Sequence, residues 1–260
     1  MELKTEIKAD IEKELGALGL APLTWAETLE VVKGKLPKPE WETFSRLHRN
    51  FTGYRSETTL ERFYGFVFTH GLHLDVNAYR FRRLTAILTD LLPQLTPDLS
   101  ILDVGAGSGI IASLIQKRSS PRTLVVQDAC RAVRDELTAQ GFSVLPHPPP
   151  PIGPASFDVL LCIDSLGEIN ADDDGLLAKP DAVEASELPL LLEQRYGFAH
   201  KLDAWRGYLA PGGRILLWEP FAYQNAMESL AILLGDEGWH VRFQAPAPGR
   251  NFLELKPKQP

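Results

Sequence analysis

Residues 101–110, Ile-Leu-Asp-Val-Gly-Ala-Gly-Ser-Gly-Ile, constrain the fold of this chain more than any other stretch. Ile101 to Val104 reads as a buried strand. Gly105, Gly107 and Gly109 then alternate through a tight turn, and Ile110 to Ile115 has the composition of a helix. Glycine reaches backbone angles closed to other residues and lets a ligand approach the main chain. The unpaired N–H groups at a helix start favour an anionic ligand group. Strand, glycine turn and helix start together make a cradle. A dinucleotide fingerprint G-x-G-x-x-G needs glycine at position 110, where Ile110 stands. Here the pattern closes one residue earlier, as G-x-G-x-G.

The rest of the chain alternates strands and helices after this point. Thr123 to Gln127 reads as a second strand, and a helix from Ala129 to Gln140 ends at the C-cap glycine Gly141. Phe142 to Leu145 is a short third strand, and Asp158 to Ile163 a nearly continuous apolar fourth, as in the middle of a parallel sheet. Ile215 to Trp218 is a fifth, introduced by a turn at Pro211-Gly212-Gly213. A helix from Tyr223 to Leu234 follows, then strands His240 to Gln244 and Phe252 to Leu255. This order predicts an α/β fold: a doubly wound, mostly parallel seven-stranded sheet with an antiparallel final hairpin.

Residues 1–95 read differently, as a helical N-terminal cap ahead of a domain over 96–260. Leu3, Ile7, Ile11 and Leu15 recur at helical spacing. Thr24 is the expected N-cap of a second helix. Further helices are expected over 40–49, 58–69 and 76–92, with Pro37 and Pro39 breaking the chain.

With 260 residues and a net charge of −7, the chain is long enough for one large domain with an appendage, and broad non-specific nucleic-acid binding is disfavoured. Cys130 and Cys162 give neither a disulfide framework nor metal-ligand spacing. The N-terminus lacks the apolar run of a signal peptide, and no stretch is long and apolar enough for a membrane span. The expectation is a cytoplasmic protein without metal or membrane contact.

The glycine turn resembles motif I of the class I S-adenosylmethionine-dependent methyltransferases. The resemblance covers about residues 95–258. It is strengthened by Val125-Val126-Gln127-Asp128, by Phe157 to Asp164, and by Leu209-Ala210-Pro211-Gly212-Gly213 running into the fifth strand. It implies S-adenosyl-L-methionine as cofactor, with Gly105, Ala106, Gly107 and Gly109 lining it and Ala129, Ile163 and Asp164 beside it. Asp128 takes the ribose hydroxyls, as a charged acceptor suited to strong hydrogen bonds. Asp128 also reads as an N-cap of the following helix. The resemblance also implies that Asp103 orders the glycine loop and that Tyr79 or Arg83 reaches the cofactor carboxylate. The chain departs from the family after the third strand. There, His147 and four prolines replace the acidic residue that binds the adenine amino group in many members.

Methyl transfer needs the acceptor held close and in line, plus a base when the acceptor carries a proton. Asp164 and Glu168 after the fourth strand and Glu219 after the fifth are the candidate bases. Asp172-Asp173-Asp174-Gly175 lacks EF-hand spacing and reads as a solvated turn. Pro189 to Phe198 reads as a helical lid or as a helix packed on the sheet. Between Arg46 and Arg83 the cap mixes Arg46, Arg49, Arg55, Arg62, Arg80, Arg82 and Arg83 with Tyr54, Tyr64, Phe66, Phe68 and Tyr79. That composition suits an anionic or aromatic acceptor, an RNA element, or simply a helical cap with an aromatic core. The leading expectation is a methyltransferase for a small-molecule acceptor. The alternatives are an RNA or protein methyltransferase and a non-catalytic S-adenosylmethionine-binding or dimerisation protein; a homodimer fits any of them.

Overall fold

The computed structural model describes residues 2–53, 56–147, 156–163, 165, 193, 197–218, 224–243 and 252–258. Five helices come first: α1 (Glu2–Ala17), α2 (Trp25–Lys35), α3 (Lys38–Gly53), α4 (Glu57–Thr69) and α5 (Phe81–Leu91). Thr24 caps α2 in a capping box with Glu27: Glu27 N donates to Thr24 Oγ1 at 3.3 Å, and Thr24 N donates to Glu27 Oε2 at 2.7 Å. Pro39 does not break the chain before α3. It sits in that helix's first turn, where a missing N–H costs nothing.

The single helix expected over 76–92 is three pieces. A 3-10 helix, Asp75–Arg80, precedes α5, and another, Leu92–Gln94, follows it. Asn77 explains the first piece. Its amide donates to the His73 carbonyl at 2.7 Å, a local bond that competes with α-helical pairing. Pro93 explains the second, because it has no N–H for a continuing α-helix.

The strands are β1 (Ser100–Val104), β2 (Thr123–Gln127), β3 (Ser143–Leu145), β4 (Phe157–Ile163), β5 (Leu209–Trp218), β6 (Trp239–Phe243) and β7 (Phe252–Pro257). They form one sheet in the order β3-β2-β1-β4-β5-β7-β6. β1 pairs in parallel with β2 and β4, and β4 with β5, whereas β7 runs antiparallel to both β5 and β6. Helices α6 (Ile110–Ser119), α7 (Arg131–Ala139), α8 (Phe198–Arg206) and α9 (Gln224–Asp236) complete the order. The order reverses between β1 and β4, a switch point outside whose strand ends ligands bind in such sheets.

Pro211-Gly212-Gly213 is not a turn ahead of β5 but a bulge within it. Register against β4 jumps from Phe157↔Leu209 to Val159↔Arg214. A Cβ on Gly213 would lie 2.9 Å from both the Phe157 and Ala210 carbonyl oxygens, so only glycine fits.

Two compact units group these elements. The first comprises Met1–Asp98, Ala106–Arg122 and Asp128–Val144, so it holds α1 to α7. In one of its cores Ile11, Leu15 and Leu20 pack with Phe81, Leu84, Leu88, Ile110 and Leu114. Glu14 adds ion pairs to Lys117 at 3.0 Å and Arg118 at 2.8 Å, tying α1 to α6. In the other, Val32, Phe44, Phe51, Phe63 and Val67 cluster. The second unit comprises Leu99–Gly105, Thr123–Gln127 and Leu145–Pro260. Its core joins Leu102, Leu160, Ile215, Leu217 and Leu253 of the sheet to Leu202, Trp205, Leu230 and Leu234 of α8 and α9. Each such fully buried side chain contributes roughly 1.5–3 kcal/mol relative to exposure.

Candidate functional site

In the second unit, β1 ends at Val104 and Gly105 turns the chain at φ +74°. Gly105 N donates to the Gln127 carbonyl at 2.8 Å, tying the turn to the end of β2. A Cβ at Gly105 would lie 2.3 Å from Ser165 Cβ, so the loop after β4 comes to contact here and glycine is obligatory. Asp103 is 2% exposed and sits in register between Val126 of β2 and Leu161 of β4. Ile163 is buried at the end of β4 beside Trp218. Gln127 Nε2 lies 3.2 Å from His147 Nδ1.

In the first unit, the rest of the glycine turn leads into α6. Gly107 has φ +55° and Gly109 φ +75°. The two glycines serve different ends. A Cβ at Gly109 would lie 2.8 Å from Leu137 Cδ2 and Gln140 Oε1, whereas at Gly107 it would meet nothing within 4 Å. Gly109 is therefore walled in by α7 and the residue after it, while Gly107 faces open space. Gly109 is also the N-cap of α6 and supplies no side-chain cap.

Asp128 leaves β2 directly into this region. Its Oδ2 accepts from Gly107 N at 3.0 Å and its Oδ1 from Cys130 N at 2.9 Å. The carboxylate thus bridges the glycine turn and the start of α7. The N-cap position of α7 is Cys130, and Asp128 closes an Asx-type turn onto it. The N-cap expected at Asp128 therefore falls two residues later, at Cys130, and Asp128 reaches it from outside the helix. Ala129 follows, its carbonyl accepting from Arg134 Nη1 at 2.6 Å.

Two residues that the sequence pattern does not single out as site residues complete the arrangement. Glu61 of α4 accepts from Arg131 N at 2.7 Å and from Cys130 Sγ at 3.1 Å through Oε2, and from Ala132 N at 3.1 Å through Oε1. Burial, reinforced by the Glu61 and Asp128 carboxylates, pushes the Cys130 thiol up to about 12, so it stays a donor. Asn77, 8% exposed, donates to Ser108 Oγ at 3.3 Å and accepts from Arg80 Nη1 at 3.3 Å. No spacing along the sequence marks Glu61 or Asn77. Only their contacts reveal them.

Tyr79 lies on the 3-10 helix, 44% exposed, with its ring edge-on to Trp25 at 4.9 Å. Arg83 is half-buried in the first turn of α5. Asp164, Glu168 and Glu219 lie outside the described residues, as do the 172–175 turn, most of the 189–198 segment, and the prolines after His147. In the cap, Phe51 and Phe63 stack at 4.8 Å within the core, and Tyr64 and Phe66 pack against that core. His48 stacks on Trp25 at 4.8 Å, and burial holds its imidazole below the usual range. Among the described residues no group of three or more His, Cys, Asp or Glu is placed to hold a metal ion, and no helix is long and apolar enough to cross a membrane.

No family model matches the sequence, and no curated protein matches it. Solved structures do match by fold. The CurJ carbon methyltransferase aligns over 90% of this chain and 71% of its own, at TM-score 0.51 and 13% identity. A SAM-dependent methyltransferase from Bacteroides fragilis in complex with S-adenosyl-L-homocysteine aligns over 65% and 75%, at TM-score 0.43 and 18% identity. A methyltransferase from Pyrococcus furiosus aligns over 66% and 81%, at TM-score 0.45 and 15% identity. The sheet order agrees: antiparallel β7 lies between β5 and β6, unlike the 3-2-1-4-5-6 order of dinucleotide-binding folds. The chain has the class I, Rossmann-like fold of the S-adenosylmethionine-dependent methyltransferases.

Proposed function

We propose that this chain is an S-adenosyl-L-methionine-dependent methyltransferase acting on a small-molecule acceptor in the cytoplasm. The observation that carries the reading is Asp128, whose carboxylate joins the Gly107 amide to the start of α7 beside a glycine with open space in front of it. A carboxylate has about four lone-pair sites, so it can take vicinal ribose hydroxyls as well. Gly107 leaves the main chain approachable, and Gly109, the N-cap of α6, has no side chain of its own to cap it. These residues fit an adenosyl group with an anionic end.

When bound, the cofactor supplies a methyl group on a positively charged sulfur. In the first unit, Asp128 would hold the ribose, Ala106, Gly107, Gly109 and Ala129 would line the cofactor, and Tyr79 or Arg83 would meet its carboxylate. In the second unit, Asp103, Gly105, Ile163 and Asp164 are the candidates. Asp164, Glu168 or Glu219 takes the proton of a hydroxyl or ammonium acceptor.

Thermal shift with S-adenosylmethionine, S-adenosylhomocysteine and NAD in parallel tests this. Ligand at about 100 times its dissociation constant adds about 2.7 kcal/mol of stability. Stabilisation by the two S-adenosyl ligands, lost in Asp128→Ala, is the expected result. No shift with either, or a shift with NAD alone, sinks the reading. An acceptor screen at saturating cofactor with Asp164→Asn, Glu168→Gln and Glu219→Gln then finds the base, as the variant whose kcat falls and whose activity is regained as pH rises.

A further inference from the structure

We infer that Glu61 is a positioning residue for cofactor binding: from α4 it holds the turn that aims Asp128, and so couples the N-terminal helices to cofactor affinity. The inference rests on the methyltransferase reading and deepens it. The first N–H groups of a helix have no partner within it. At the start of α7 two carboxylates take three amides. Cys130 N goes to Asp128, while Arg131 N and Ala132 N go to Glu61 across 70 and 71 residues of chain. The Cys130 thiol adds a third donor to Glu61.

This division matters for Asp128. Its orientation depends on where Cys130 N points, and Cys130 is held on the other side by Glu61. Arg134 closes the same turn by donating to the Asp128 carbonyl at 2.9 Å. A carboxylate near a helix N-terminus is also stabilised by the helix dipole, so Glu61 is drawn to this one place. A surface glutamate chosen only for solubility would not spend both oxygens on main-chain amides of another helix.

Isothermal titration of the full chain with S-adenosylhomocysteine tests the inference in wild type, Glu61→Gln, Glu61→Ala, Asp128→Asn and the Glu61→Ala/Asp128→Asn double variant. Groups acting through one another give non-additive effects. Glu61→Ala is expected to weaken binding about tenfold in the wild-type background and less than about twofold in the Asp128→Asn background. Glu61→Gln keeps one acceptor oxygen and falls between; it also serves if Glu61→Ala does not fold. An equal loss in both backgrounds makes Glu61 merely structural and overturns the inference, as does unchanged affinity in Glu61→Ala and Glu61→Gln. Absence of binding to wild type overturns the methyltransferase reading itself, and that result is separate from the other two.

Discussion

α6 and α7 each begin just after a strand of the parallel sheet, yet their first turns are built from different residues. The start of α7 is filled by carboxylates from Asp128 and Glu61. The start of α6 has as its N-cap Gly109, which has no side chain to cap with, and no acidic residue in its first turn. Both ends carry the same partial positive charge from the peptide dipoles. The protein neutralises one with its own side chains and makes it scaffold. For the other, the proposed reading supplies the anionic end of the cofactor.

The sharpest way to break this contrast is at Gly109. Gly109→Ala brings a Cβ within 2.8 Å of Leu137 and Gln140 at φ +75°, forcing the α6 start away from α7. A loss of about 3 kcal/mol in urea unfolding is expected, from overpacking plus a left-handed backbone. A loss below about 1 kcal/mol would mean that the two helix starts are not packed as described. Glu61→Ala comes next. It removes a borrowed cap from α7 and is expected to cost about 1–2 kcal/mol, read in the same urea titration. Gly107→Ala meets open space and should cost only about 1 kcal/mol, the strain of its left-handed backbone. Its effect on S-adenosylhomocysteine affinity should exceed its effect on stability. The reverse ranking would remove Gly107 from the ligand's path.

The smallest effect is one of pH. The Cys130 thiol is raised in the folded chain to about 12 from an ordinary 9.0, through burial and the nearby carboxylates. The folded state therefore keeps a proton that the unfolded chain releases above pH 9. Its contribution is complete well below that pH and is lost as pH rises towards the folded value. Between pH 8 and 9 the loss is about 0.4 kcal/mol. Cys130→Ser retains a donor to Glu61 without a group that titrates there, so its stability should be flatter over the same interval. An identical slope would place the titration elsewhere.

The helix starts also show where sequence reading stops. The glycine turn, the carboxylate closing β2 and the alternation after residue 100 are local signals. Backbone freedom at three spaced glycines and a run of apolar residues determine them without distant partners. The capping box at Thr24 and Glu27 is legible for the same reason, since its two members sit three residues apart. The expected helix over 76–92 is less so, because Asn77 diverts its amide to His73 and Ser108. Pro211-Gly212-Gly213 reads as a turn from its composition and becomes a bulge because β4 and β5 must pair on both sides of it.

Sequence alone thus settled the local strands, the glycine turn and the position of Asp128 after β2, because each depends on residues a few positions apart. Tertiary structure alone decided that Gly109 is walled in while Gly107 is open. It alone decided that Glu61 reaches amides 70 and 71 residues away. Such contacts follow from how whole helices pack, and no spacing along the chain encodes them.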